Sequence, residues 1–171
     1  MGDRPIIFSS PMVRALMEGR KTMTRRLVTS PLAKCQIGDR LWVRESITRS
    51  GAYVQYIADH KTSGHVWLSH WRDARPSIHM PRWASRLTLT VTETNIERLQ
   101  DITEADAATE GVERATEFNL RKWGYDQTHR MGFADLWDGL HGAGAWDANP
   151  EVVALRFTVA RQNIDEIKDA A

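Results

Sequence analysis

Apolar residues in this chain recur with two different periods, and each change of period marks an element. Residues 5–9 (Pro-Ile-Ile-Phe-Ser) read as a short apolar strand. Met12, Ala15 and Leu16 then follow the helical repeat. Ser10 is the expected N-cap, Pro11 suits the first helical position, and Gly19 is a left-handed stop. After a loop at Thr29-Ser30-Pro31, Gly38-Asp39-Arg40 signals a turn that opens a strand, in which Leu41, Val43 and Glu45 alternate with Trp42, Arg44 and Ser46. A further strand is predicted over residues 53–58, paired through Arg49-Ser50-Gly51. Residues 86–99 are the longest strand candidate, with Leu87, Leu89 and Val91 alternating with Thr88, Thr90 and Thr92. Thr103 and Asp106 form a capping-box-like start to a helix that Gly111 ends. A last helix over 131–140 places Phe133, Leu136, Trp137 and Leu140 on one face, and Gly142 and Gly144 stop it. Asn149-Pro150 opens a final strand over 152–160, followed by a polar tail at 162–171. Strands outnumber helices without alternating regularly with them. This favours an α+β barrel or curled sheet over a doubly wound fold.

Residues 60–85 break both periods. Pro76 and Pro81 exclude a long element, while Trp67, Trp71, Met80 and Trp83 are costly to leave in water. An ordered Trp/His-rich insertion, about 49–85, is therefore expected within a single domain spanning 1–161. A chain of 171 residues with 42% apolar content can bury a core of that kind. Cys35 is the only cysteine, which excludes an internal disulfide and a cysteine-based zinc site, and no neighbouring base makes it a nucleophile. No apolar run is long enough to span a bilayer, and the start lacks the order of a secretory signal. A cytoplasmic protein with no membrane partner is expected.

Charge changes this picture more than composition does. The net charge is +1, yet residues 1–86 hold 15 Lys/Arg and 6 Asp/Glu, while residues 87–171 hold 8 and 16. Either the two halves neutralise each other inside the fold, or one face is basic and suited to nucleic acid. Eighteen of the 23 cations are Arg, whose planar fork grips phosphate and stacks on bases. The densest cluster is Arg20-Lys21-Thr22-Met23-Thr24-Arg25-Arg26, directly after the first helix. Donors at that density call for an anionic or strongly polar ligand, although short charge runs are more often solvated.

The run Gly19-Arg-Lys-Thr-Met-Thr-Arg-Arg26, together with Gly38-Asp39-Arg40-Leu41 and the Thr103–Gly111 helix, resembles the ASCH domain family. That family has a PUA-like β-barrel related to RNA-binding modules. The resemblance covers residues 5–48 and 86–160. The segments Pro76–Trp83 and Trp146–Pro150 look like those of longer ASCH-type proteins of phages and prophages. Some small bacterial members remove acyl groups from the exocyclic amine of cytidine derivatives such as N4-acetylcytidine. The resemblance implies that role for Lys21, Thr24 and Glu110; Arg25 stands where those enzymes often carry a hydrophobic residue. It also implies a nucleoside or single-stranded nucleic acid as partner, RNA before DNA, and no cofactor. A non-catalytic RNA- or DNA-binding module, a ribonuclease at the same cationic mouth, and a phage assembly role are the alternatives.

The chemistry sets a geometric condition. Thr24 needs a base, and Lys21 can act as one only when its amine is neutral. In a regular strand residues three apart face opposite sides, so Lys21 and Thr24 share a site only if the backbone turns between them. Arg20, Thr22, Arg25 and Arg26 are expected to set the electrostatics and bind ligand. Trp42 and Trp83 are the candidates for base stacking, and Glu45 and His79 are further candidate ligand contacts. Trp137 and Trp146 read as structural. His60, His65, His70 and His79 lack tight ligand spacing, so no metal site is expected.

Overall fold

The computed structural model describes residues 2–50, 53–60, 74–114 and 128–167. Trp67, Trp71, His65, His70 and the last four residues of the tail lie outside this set.

Five strands form one sheet. In chain order they are β1 (Asp3–Ile7), β2 (Met23–Leu27), β3 (Arg40–Arg44), β6 (Thr88–Arg98) and β7 (Glu151–Ala160), and their spatial order is β1-β3-β6-β7-β2. β1 runs parallel to β3, and the other neighbours are antiparallel. A second sheet pairs β4 (Ile47–Ser50) with β5 (Tyr53–Tyr56), so the expected hairpin exists as a separate unit of four-residue strands. Ile57 and Ala58, expected as the end of that strand, belong instead to a 3-10 turn over Ile57–Asp59.

β6 and β7 are long enough to serve two cores. Leu89 and Val91, with Val153, Leu155 and Phe157, pack against Val13 and Leu16 of α1 (Ser10–Met17). Val152 packs into a second core with Ala107 of α2 (Glu104–Thr109) and Phe133 and Trp137 of α3 (His129–His141). The register shift between Val91 and Glu93 is a bulge, and β6 faces solvent from Thr92 to Ile96. Among the described residues no backbone pairing joins β1 to β2, which would close the sheet into the expected barrel. The side chain of Arg26 spans that gap instead, donating to the carbonyl of Ile7 at 3.2 Å.

The helix ends follow the sequence with small shifts. Ser9, rather than Ser10, caps α1, with no side-chain bond, and Pro11 stands in the first turn. Thr103 caps α2 by accepting from the Asp106 N–H at 3.0 Å; Thr128 caps α3, which starts two residues earlier than expected. Gly19 and Gly111 adopt φ of +75° and +77°. At Gly111 an added Cβ would lie 2.8 Å from the Cβ atoms of both Ala15 and Lys21. This glycine is where α1, α2 and the start of β2 converge. Gly111→Ala is expected to lose about 2–4 kcal/mol, from a left-handed β-carbon plus overpacking. Urea denaturation measures it, and a loss below about 1 kcal/mol would show that the convergence can yield.

Candidate functional site

Three short stretches of backbone build the site. After Gly19, the N–H groups of Arg20 and Lys21 both donate to the Ala15 carbonyl, at 2.9 and 3.0 Å, which turns the chain sharply. Lys21 then forms a single antiparallel bridge with Glu110, and the Thr22 N–H donates to the Thr109 carbonyl at 2.9 Å. Regular pairing with β7 begins at Met23. Lys21 thus stands outside the strand that holds Thr24, and the alternation rule does not separate them. The Phe157 N–H bonds the Thr22 carbonyl, so Thr22 pairs with α2 through its N–H and with β7 through its carbonyl, and in the strand that follows Thr24 and Arg26 turn their peptide groups toward β7. Met23 and Arg25 turn theirs to the free edge. That edge is protected from within, because Lys21 Nζ donates to the Met23 carbonyl at 2.8 Å and Arg26 Nη1 to the Arg25 carbonyl at 2.9 Å.

Glu110 is the centre of the electrostatics. Its carboxylate accepts from Lys21 Nζ at 2.9 Å and from Arg25 Nη1 at 3.2 Å, and all three side chains are essentially buried. Lys21 Nζ also donates to the Glu110 carbonyl at 2.7 Å, so all three ammonium hydrogens have acceptors. Burial pushes the Lys21 ammonium below the usual lysine range, and Glu110 opposes that shift. Arg25 continues the network to Glu97 at 2.7 Å and Asp106 at 3.7 Å. Here the basic first half of the chain is neutralised by its acidic second half.

Arg26 behaves differently. Its Nη1 donates to Thr24 Oγ1 at 2.7 Å, and its guanidinium lies 5.2 Å from the centroid of Phe8. Among the described residues its hydrogen bonds go only to neutral oxygens, and Glu110 acts on it through space without a direct bond.

These groups line one cavity of about 530 Å³, within the usual range for small-molecule sites. Its polar floor is Lys21, Thr24, Arg25, Arg26 and Glu110, and its apolar wall comes from Phe8, Met12 and the Phe133–Leu140 face of α3. His141, which carried no sequence signal, also lines it and stacks on Trp137 with ring centroids 4.2 Å apart. Burial and the Arg26 cation hold the imidazole below its ordinary pKa.

The other expected residues lie elsewhere. Arg20 pairs with Glu18, donates to the Gly111 carbonyl, and borders an open hollow with Arg14, Arg114 and His129. Thr22 contributes backbone bonds and does not line the cavity. Trp42 packs under Arg44, 5.3 Å away, and Trp83 is exposed in a 3-10 turn. Glu45 is buried in a bidentate pair with Arg86, which also bonds Asp59 and stacks on Tyr56. His79 is exposed, although Ser77 of the same turn reaches the cavity. Cys35 is buried, and its thiol is pushed up by that burial. Among the described residues no helix is long and apolar enough to cross a membrane.

No protein-family model and no curated protein matches the chain. Among solved structures it is similar to an ASCH domain from Lactobacillus crispatus JV V101, at 13% identity over 92% of this chain and 79% of the other, with a TM-score of 0.43. It is also similar to protein EF3133 from Enterococcus faecalis V583, of family DUF984, at 10% identity over 99% and 86%, with a TM-score of 0.46. At these scores the likeness carries no weight for chemistry, which rests on the residues of this chain.

Removing Glu110 leaves two buried cations sharing fewer anions. Glu110→Ala is expected to cost about 3–5 kcal/mol in urea denaturation. A loss below about 1 kcal/mol would mean that water reaches Lys21 and Arg25 freely.

Proposed function

We propose that the chain binds a cytidine-type nucleoside in this cavity, on a sheet read as an opened PUA-like barrel, and hydrolyses an acyl amide on the exocyclic amine of the base. The observation that carries the reading is the placement of a threonine hydroxyl, an arginine bonded only to neutral oxygens and a buried Lys–Glu pair on the floor of a cavity walled by aromatic and aliphatic side chains. An aromatic wall suits a base, and the polar floor suits an amide undergoing attack.

The chemistry follows from the groups available. The hydrogen that Lys21 shares with Glu110 moves to the carboxylate, leaving a neutral amine, while Arg25 keeps Glu97 as its anion. The amine takes the Thr24 hydroxyl proton as Oγ1 bonds to the acyl carbon. The carbonyl oxygen gains the negative charge and is held by the Arg26 guanidinium. The C–N bond then breaks, the departing amine takes the proton back from Lys21, and the acyl group remains as an ester on Thr24. Water hydrolyses that ester, its proton returning to the threonine oxygen as the carboxylic acid leaves.

One observation supports a second reading, that of a binding module without turnover. Every Lys21 hydrogen has an acceptor and Arg26 covers the Thr24 oxygen, so the resting arrangement is satisfied without chemistry. A single assay separates the two. Incubation with N4-acetylcytidine is expected to remove its long-wavelength absorbance. Thr24→Val should slow this by at least about 100-fold while leaving cytidine affinity within about twofold. Cytidine binding with no turnover by the unaltered protein supports the binding module. Salt-dependent affinity for oligonucleotides without nucleoside binding would move the reading to a nucleic-acid strand.

A further inference from the structure

The cavity wall contains a buried donor with no acceptor in the protein. Trp137 is 3% exposed and lines the cavity, and its indole Nε1 is buried without a hydrogen-bond partner among the described residues. The ring is held in place: Phe133 lies 6.0 Å away and His141 4.2 Å away, centroid to centroid. A packed indole cannot rotate its N–H toward solvent without disturbing both neighbours. Buried donors in folded proteins are almost always paired, so an unpaired one in a cavity wall points to an acceptor brought by a ligand.

We infer that Trp137 is a specificity-determining residue whose indole N–H donates to the ring carbonyl of a pyrimidine nucleoside in the cavity. The inference rests on the nucleoside reading above. A neutral donor in an apolar wall suits a neutral acceptor, since an anion would be served better by Arg26. The partition of the site supports the ring carbonyl. Thr24 and Arg26 enter from β2 and address the acyl amide on the exocyclic amine, whereas Trp137 and His141 enter from α3. The 2-carbonyl of a cytosine ring, the acceptor farther from that amine than the ring nitrogen between them, is the one assigned to the second wall. A ligand lacking it leaves the indole unpaired and is disfavoured on that account, which is how a site rejects an analogue missing one polar atom.

Trp137→Phe keeps an aromatic ring in the wall and removes only the N–H donor and part of the indole. Its melting temperature should fall only modestly, because the packing lost with the smaller ring is partly offset by removal of an unsatisfied buried donor. Calorimetric titration with cytidine should show affinity weakened about tenfold relative to the unaltered protein. With 2-thiocytidine, whose sulfur accepts poorly, the unaltered protein should bind about tenfold more weakly than it binds cytidine, and Trp137→Phe should add no further loss. In nitrogen–proton spectra, the indole resonance missing from Trp137→Phe should move downfield when cytidine is added to the unaltered protein. Equal cytidine affinity in the two proteins, or an unmoved indole resonance in a protein that binds cytidine, overturns the inference and leaves the nucleoside reading standing. Absence of cytidine binding by the unaltered protein overturns both. If Trp137→Phe does not fold, the indole resonance decides alone.

Discussion

The carboxylate of Glu110 is the interaction on which the rest of this structure depends. Two buried cations, Lys21 and Arg25, converge on it from opposite ends of the same short stretch of chain. In a low-dielectric interior neither cation is tolerable without a partner, and one carboxylate serves both. The consequences run outward from that point. α2 has only six residues and cannot hold itself together by its own hydrogen bonds. Its last turn is held by the Lys21–Glu110 bridge, by the Thr22 N–H on the Thr109 carbonyl, and by Arg25 reaching Asp106. The start of β2 is held by the same contacts. The floor of the cavity is therefore rigid for an electrostatic reason, while its wall on α3 is rigid because of packing.

This network also explains what becomes of the charge asymmetry along the chain. Of the four cations in the densest basic cluster, Lys21 and Arg25 are spent on carboxylates of the second half, and Arg20 on the neighbouring Glu18. Arg82, outside the cluster, reaches Asp165 in the same way. Arg26 is the cation of the cluster left facing neutral oxygens. A basic run in sequence thus becomes an internal ion-pair network with one charge in reserve. That arrangement suits a small ligand carrying a single developing negative charge better than it suits a polyanion, which draws its affinity from many free cations at once.

Much of the fold was legible because its signals are local. Glycine stops at 19 and 111, the threonine cap at 103, and the alternation through Leu87, Leu89 and Val91 act within a few residues, and they recur in the structure at nearly the expected positions. The β4–β5 hairpin was legible as a hairpin, but not as a separate sheet, because the choice of partner is made by distant residues. The candidate site was legible in part. Lys21, Thr24 and Glu110 line one cavity because the chain turns before β2 begins, and the need for such a turn follows from the alternation rule alone. Trp42, Trp83, Glu45 and His79 were chosen by residue type, and type does not report position: Glu45 is consumed by Arg86, and Trp83 faces water. The roles of Trp137 and His141 left no local trace. The helical period assigns Trp137 to a core face, and it does pack there. Only the assembled structure separates its ring, which is satisfied, from its N–H, which is not.

The covering of Thr24 is the last consequence of the same constraint. Its side chain is fully buried, with Arg26 seated on the hydroxyl oxygen and anchored across the open edge of the sheet at Ile7. An arginine that bonds neutral oxygens alone loses little when one of them is exchanged for a ligand oxygen, and gains when that oxygen carries charge. Lys21 and Arg25 cannot make such an exchange without stranding Glu110. The division of labour is therefore set by partners and not by residue type. Cations that share a buried carboxylate hold the floor in place, and the cation without one is free to follow the chemistry above it.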